Sequence, residues 1–277
     1  MSRGVRPPVV AGAFYPEDPT RLREMVQRLL GTAPAAANPS PHLGLVVPHA
    51  GYPYSGAIAG KGFRFAAERG TPDVIVFLGA NHTGRGPAVS LSDDAAWATP
   101  LGTVPVDDEA LAHLESLGLR RAPEAFAGEH AIEVELPFVQ VLFGDRVPIL
   151  PVSVQWAPLL TLRAAATAIA SAFRTRPAWF VVSSDFTHYE PDDRARARDA
   201  RALDRILAGD EEGLHALVAR ERLSICGAGA LVVLLSMSRH LDLSRIERIA
   251  YATSGDATGD REAVVGYAAV GLTEEVS

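Results

Sequence analysis

A single cysteine, Cys226, among 277 residues leaves nothing for an intrachain disulfide, which excludes a stapled secreted scaffold and makes a reducing compartment the default. Basic residues are also short: 26 Lys and Arg against 33 Asp and Glu give a net charge of −7, so there is no footprint for nucleic acid or an anionic membrane. No stretch approaches the roughly 18 consecutive apolar residues of a membrane span, and the N-terminus has only Val9-Val-Ala-Gly-Ala-Phe before Tyr15, so a soluble cytoplasmic protein is expected. No repeat of about 20 to 50 residues is present, which argues against a solenoid. Several catalytic signatures are missing as well. There is no G-x-S-x-G elbow, although Ser183, Ser184, Asp185 and His188 lie together; Gly56 to Lys61 is one residue short of a phosphate loop; and Gly227-Ala-Gly229 lacks the third glycine of a dinucleotide fingerprint.

What the sequence has is an ordinary globular composition, 48% hydrophobic and 21% charged, and length enough for a sizeable core. After a lead-in (1–41), whose helix should begin after Asp18-Pro19 with Leu22, Met25, Val26, Leu29 and Leu30 on one face, comes the Ala- and Pro-rich run 31–41. From Leu43 onward short apolar runs alternate with helical stretches. The runs are 43–47, 74–78, 147–152, 179–182, 246–253 and 264–270; the helical stretches are 57–68, 107–117, 131–143, 159–173, 192–207 and 228–237. Nearly continuous β-branched runs mean strands covered on both faces. The expected fold is therefore one α/β domain (1–277), a three-layer sandwich with a largely parallel or mixed sheet between helices, the lead-in packing on the body. The stretch 88–106 reads as a hairpin at a mixed edge.

The reactive side chains fall in register with this pattern. His49 follows the run 43–47, His82 follows 74–78, and Asp185 and His188 follow 179–182. In open α/β sheets ligands bind beyond the carboxyl ends of the strands, so three strands can deliver metal-competent groups to one edge. One histidine after a strand is often only a hydrogen-bonded turn residue; three at equivalent ends point to a shared site. Glycines in His49-Ala-Gly51 and Gly79-Ala-Asn81-His82-Thr-Gly84 allow tight turns there, with Asn81 and Tyr54 placed to line a pocket. Cys226 precedes a helix whose N-terminus would favour the thiolate, yet it reads as readily as a buried inert thiol. Two imidazoles with a thiolate or carboxylate suit Fe(II), Cu or Zn. Glu129, His130 and Glu133 form a further cluster in which Glu133, three residues on, could orient His130, while Glu135 points elsewhere. For Glu129 the plainer alternative is an acidic residue favoured by a helix N-terminus. His42, His113, His215 and His240 read as solvated.

Six motifs carry a resemblance: Arg6-Pro-Pro-Val-Val-Ala-Gly-Ala-Phe-Tyr-Pro, Val47-Pro-His-Ala-Gly-Tyr-Pro-Tyr-Ser-Gly, Gly79-Ala-Asn-His-Thr-Gly, Glu129-His-Ala-Ile-Glu-Val-Glu-Leu-Pro-Phe, Ser183-Ser-Asp-Phe-Thr-His-Tyr and Ser224-Ile-Cys-Gly. In this order they resemble the Memo family, also called protein B of the AmmeMemoRadiSam system, from Arg6 to about Gly271. The resemblance implies an α/β domain similar to the class III extradiol dioxygenases, whose non-haem Fe(II) opens a catechol ring. It further implies His49, His82 and Cys226 as metal ligands, His188 as the acid/base, and Asp185 and His130 in the same pocket. A functional link to a radical-SAM protein and its companion domain is also implied.

Three functions follow as expectations. The first is an oxidoreductase holding Fe(II), with Cu or Zn as alternatives, and acting with O₂ on a small diol-like substrate. The second is a non-catalytic iron- or copper-binding redox protein. The third is a peptide- or phosphate-binding module using the strand-end turns.

Overall fold

The computed structural model describes residues 3–31 and 38–275, so most of the expected Ala/Pro linker lies outside the described residues. In chain order the first elements are β1 (Val5–Arg6), α1 (Pro19–Leu30), β2 (Leu43–Val47), α2 (Tyr52–Ala67), β3 (Val74–Ala80), β4 (Val89–Leu91), β5 (Ala96–Thr99), β6 (Gly102–Pro105), α3 (Asp108–Ser116) and β7 (Arg120–Arg121). They are followed by α4 (Leu136–Phe143), β8 (Ile149–Val154), α5 (Leu159–Phe173), β9 (Ala178–Ser183), β10 (His188–Glu190), α6 (Asp192–Leu207), α7 (Glu211–Glu221), α8 (Ala228–Ser238), β11 (Arg245–Thr253), α9 (Ser254–Thr258) and β12 (Val264–Thr273).

The centre of the main sheet is parallel: β2, β9, β3 and β8 lie side by side in that order. Every residue of these four strands is buried, the expectation for strands covered by helices on both faces. Antiparallel strands close both edges. On one side β12 pairs with β2, β11 and β10; on the other β4 pairs with β8 and β7 continues beside it. The sheet is thus mixed. The stretch 88–106 does contain a hairpin, β5–β6, but it joins β1 in a separate three-stranded sheet, while β4 is the part that extends the main one. No helix among the described residues is long and apolar enough to cross a membrane.

Several elements differ from their sequence-based bounds for identifiable reasons. Helix α2 starts at Tyr52, before the expected 57, because Pro53 suits a first helical turn, where its missing N–H costs nothing. The helix expected over 131–143 begins only at Leu136, with Pro137 in its first turn and a single 3₁₀ turn, Glu133–Glu135, ahead of it. Helix α7, which the apolar periodicity does not announce, is capped by Asp210 accepting from Gly213 N–H and starts with Glu211 and Glu212. Two of the histidines read as solvated are engaged: His215 stacks on Trp156 at 4.3 Å, and His42 Nδ1 accepts from Ala178 N–H at 3.3 Å.

The lead-in lies against the body. Asp18 caps α1, which buries Leu22, Val26 and Leu30, with Met25 and Leu29 packed beside them. The close approach of α1 to α2 depends on Gly60, whose absent Cβ would stand 2.3 Å from the Leu29 carbonyl oxygen.

Candidate metal centre

The parallel strands β2, β3 and β9 end together, and each is followed two residues later by a polar side chain: His49 after Val47, His82 after Ala80 and Asp185 after Ser183. The backbone ties these ends to one another. Ser184 N–H donates to the Val47 carbonyl at 2.9 Å, and His49 N–H donates to Asp185 Oδ1 at 2.9 Å. Two further loops are drawn against this edge by missing side chains. A Cβ on Gly79 would meet Ile132 Cγ1 at 2.5 Å, so glycine lets the 129–135 segment lie on β3; a Cβ on Gly227 would meet Ser184 Cβ at 2.5 Å, so glycine brings Cys226 to the end of β9.

The result is a triangle of imidazoles. His49 and His82 have ring centres 5.2 Å apart, His49 and His130 5.5 Å, and His82 and His130 stack at 4.8 Å. One ring nitrogen from each lies within 4.8 Å of the others, a group able to hold a metal ion. Cys226 Sγ sits 3.4 Å from His49 Nε2 and accepts from Asp185 N–H at 3.1 Å. His188 donates from Nδ1 to the carbonyls of Phe186 and Ser224, at 2.7 and 2.8 Å, an arrangement that in the neutral ring makes Nε2 the acceptor. Cys226 apart, these groups open on a cleft of about 710 Å³ walled by Phe14, Tyr54, Tyr189 and Tyr267. Tyr189 is 78% exposed and adopts φ 58°, an unfavourable region for a bulky residue, in the bulge that separates His188 from Glu190. Phe14 comes from the lead-in and meets the edge of the His130 ring at 4.9 Å.

The three glutamates of the 129–135 segment have separate tasks. Glu129, 2% exposed, accepts from the N–H groups of His82, His130 and Ala131 at 2.6, 2.8 and 3.0 Å and from the His82 ring at 2.9 Å. Burial opposes its charge, but the His82 hydrogen bond and charge and the backbone donors outweigh that and hold its carboxyl down at about 2. Burial likewise works against a charged His82, and Glu129 outweighs it, so His82 titrates above its ordinary range. Glu133 faces away from the cleft. It accepts from Val9 and Val10 N–H, from the Tyr15 hydroxyl at 2.7 Å and from Arg6 at 3.1 Å, tying the lead-in to the body. The i, i+3 reasoning that paired it with His130 requires an α-helix, which this segment does not form. Glu135 instead turns inward, reaching the Ser183 hydroxyl at 3.0 Å, and Ser183 in turn meets His49 Nδ1 at 2.8 Å.

Burial is the main influence on the other site groups. It pushes His49 well below the usual imidazole range, with the neighbouring His82 and His130 charges acting the same way, and it lowers His130 with help from His82. It raises Asp185 to about 6 against the opposing effects of His188 and the His49 and Ala50 N–H groups, and it raises the Cys226 thiol, with Asp185 adding to the rise. Asp185 N–H, the Ser184 hydroxyl and the Gly227 N–H at the helix N-terminus behind Cys226 act the other way, but they do not offset burial. Asn81 closes its own turn, accepting from Thr83 Oγ1 and Gly84 N–H and donating to the Arg85 carbonyl. Of the residues expected at the site, the structure brings together His49, His82, His130, Asp185, His188, Cys226 and Tyr54, while Asn81 and Glu133 support it from behind. Ser183 and Glu135 carried no sequence signal beyond their neighbours in the motifs.

The chain matches the family described as Memo-like protein over residues 6–271. A MEMO1 family protein of Methanopyrus kandleri is 41% identical over 276 residues, covering 96% of this chain and 98% of that one. Its counterpart in Methanothermobacter thermautotrophicus is 40% identical, covering 95% and 99%. The crystal structure of an uncharacterized protein from Escherichia coli K12 shares the fold with a TM-score of 0.57 at 13% identity, over 83% of this chain and 99% of that one.

Proposed function

The chain belongs to the Memo family, and we propose that it is a metal-dependent oxidoreductase that holds non-haem Fe(II) at the strand-end cluster and acts with O₂ on a small diol-like substrate. The observation that carries this is the convergence of three imidazoles, each from a different loop, at the floor of an open cleft. The donor set fits such an ion. Neutral imidazoles and a soft thiol suit iron, copper or zinc, whereas hard ions prefer more carboxylates than this site offers.

His49 and His82 are the two donors common to every arrangement, His82 through Nε2 because its Nδ1 faces Glu129. Cys226 is the proposed third, its sulfur aimed at the same His49 nitrogen; His130 completes the cluster from the opposite loop. The thiol would have to give up its proton on binding, which makes affinity rise with pH. A bound ion would supply Lewis acidity, aligning the substrate oxygens and O₂. The chain's own contribution is a proton acceptor at His188 Nε2, kept free by the two carbonyls on Nδ1, and an open cleft walled by aromatic side chains. The soft thiol also favours a second reading, a redox protein that handles iron or copper without turning over a substrate.

Anaerobic titration with Fe(II) and Cu(I) tests the metal reading. One-to-one binding lost in His49→Ala and Cys226→Ser but kept in His130→Ala supports the Cys226 arrangement. Loss in His130→Ala with retention in Cys226→Ser moves the third donor to His130, and no binding by the unsubstituted protein removes both metal readings. His188→Ala then separates enzyme from carrier: binding should persist while consumption of O₂ with a diol substrate stops.

A further inference from the structure

Behind His49, on the side away from the cleft, lies a fully buried chain of polar groups that the proposed chemistry does not use. The hydroxyl of Ser183, 0% exposed, has three polar neighbours: the Ala131 carbonyl oxygen at 2.6 Å, His49 Nδ1 at 2.8 Å and Glu135 Oε1 at 3.0 Å. A hydroxyl has one proton to give and two lone pairs with which to accept. A carbonyl oxygen only accepts, and two oxygens 2.6 Å apart need a proton between them, so the Ser183 proton belongs to Ala131. Both remaining contacts must then be donated to Ser183. His49 therefore carries its proton on Nδ1, and Glu135 carries a proton too.

A second observation agrees with this count. Glu135 is 0% exposed, its other oxygen Oε2 is buried without a hydrogen-bond partner, and no cation pairs with it among the described residues. An ionised carboxylate placed there would be an uncompensated buried charge, with Asp185 adding repulsion. The nearby Tyr52 hydroxyl gives it no support, being spent on the Val134 carbonyl.

We propose that Glu135 is a neutral carboxylic acid at neutral pH and that, through Ser183, it is a positioning residue for His49. By filling one Ser183 lone pair while Ala131 takes the hydroxyl proton, it leaves that hydroxyl able only to accept from Nδ1. The Nδ1–H tautomer is locked, and the Nε2 lone pair faces the cleft. The two imidazoles are thus backed in opposite ways: His82 leans directly on an ionised carboxylate, Glu129, and His49 on an uncharged acid through a hydroxyl. A charged partner strengthens an imidazole as a donor and a neutral one leaves it weaker, so the arrangement sets the two donors apart without burying a second negative charge.

The importance of the tautomer rests on His49 being a metal donor, but the tautomer and the acid are both readable without metal. In metal-free protein labelled with ¹⁵N-histidine, long-range ¹H–¹⁵N correlations should show His49 protonated at Nδ1 at neutral pH. Infrared difference spectra against Glu135→Gln should show the carbonyl stretch of a protonated carboxylic acid. Glu135→Gln, whose amide also donates to Ser183, should keep the tautomer and bind Zn(II) within a few-fold of the unsubstituted protein. Ser183→Ala removes the acceptor, so His49 should mix tautomers and Zn(II) binding should weaken by about 10- to 100-fold. His49 protonated at Nε2 in the unsubstituted protein, or no acid band that depends on Glu135, overturns the proposal. Retention of the pure Nδ1–H form in Ser183→Ala overturns it as well. Protein that shows the tautomer and the band yet binds no metal upholds the positioning role and removes only the metal reading.

Discussion

Replacing Glu129 with glutamine removes a buried negative charge that accepts three backbone N–H groups and the His82 ring. Its carboxyl is held at about 2 in the folded protein against an ordinary value of 4.5. At about 1.4 kcal/mol per pKa unit the gap corresponds to roughly 3 kcal/mol. His82, the main partner, has a side chain 37% exposed, and water screening there reduces the expected loss to about 2 kcal/mol. The pH dependence follows from the direction of the shift. A carboxyl held low in the folded state stabilises fully above its unfolded value, here 4.5, and that stabilisation is lost as the pH falls towards 2. Glutamine cannot titrate. Urea unfolding of the protein and of Glu129→Gln should therefore differ by about 2 kcal/mol at pH 7, and the difference should shrink steadily below pH 4.5. In the same variant His82 loses the main partner that raises it, leaving only Asp185 to oppose burial, so its titration should fall. A difference as large at pH 3 as at pH 7, or an unchanged His82 titration, would refute the assignment of Glu129 as the charged backing of this site.

Asp185→Asn should act in the opposite sense. Burial raises Asp185 from 3.8 to about 6, so its ionised form opposes folding above that pH; the variant should melt higher at pH 8 and match the unsubstituted protein below pH 3.8, as read by calorimetry. Glu133→Ala leaves Arg6, 6% exposed, buried without its carboxylate, and should cost about 3–5 kcal/mol. Hydrogen exchange should then quicken at Val9 and Val10, whose N–H groups Glu133 holds. Gly60→Ala forces a methyl to within 2.3 Å of the Leu29 carbonyl oxygen; the packing cost of about 1–3 kcal/mol should exceed the gain of up to about 1 kcal/mol in helix propensity and lower the melting temperature.

Local patterning made the layers of this protein legible. Runs such as Val74-Ile-Val-Phe-Leu and Trp179-Phe-Val-Val, short, β-branched and aromatic, read as strands covered on both faces, and α5 and α6 fall on 159–173 and 192–207 as their periodicity demands. The edge of the sheet that carries the site was legible for the same reason. When several parallel strands lie side by side, the residues just beyond their ends share one edge, so His49, His82 and Asp185 fall on that edge whatever the order of the strands, and they meet because β2, β9 and β3 are neighbours. That order, and the partners of each side chain, depended on contacts far apart in the chain. Cys226 reaches His49 across 177 positions because Gly227 lets its loop lie on Ser184, and Phe14 reaches the cleft because Glu133 anchors the lead-in. The clearest case is the 129–135 segment. Spacing rules hold only where the backbone is regular; here it makes one 3₁₀ turn before Pro137, so three glutamates within seven residues turn to three different places. Which one stays charged beside His82, which holds Arg6 and which lies buried behind Ser183 was decided by the surroundings that folding builds around each carboxyl.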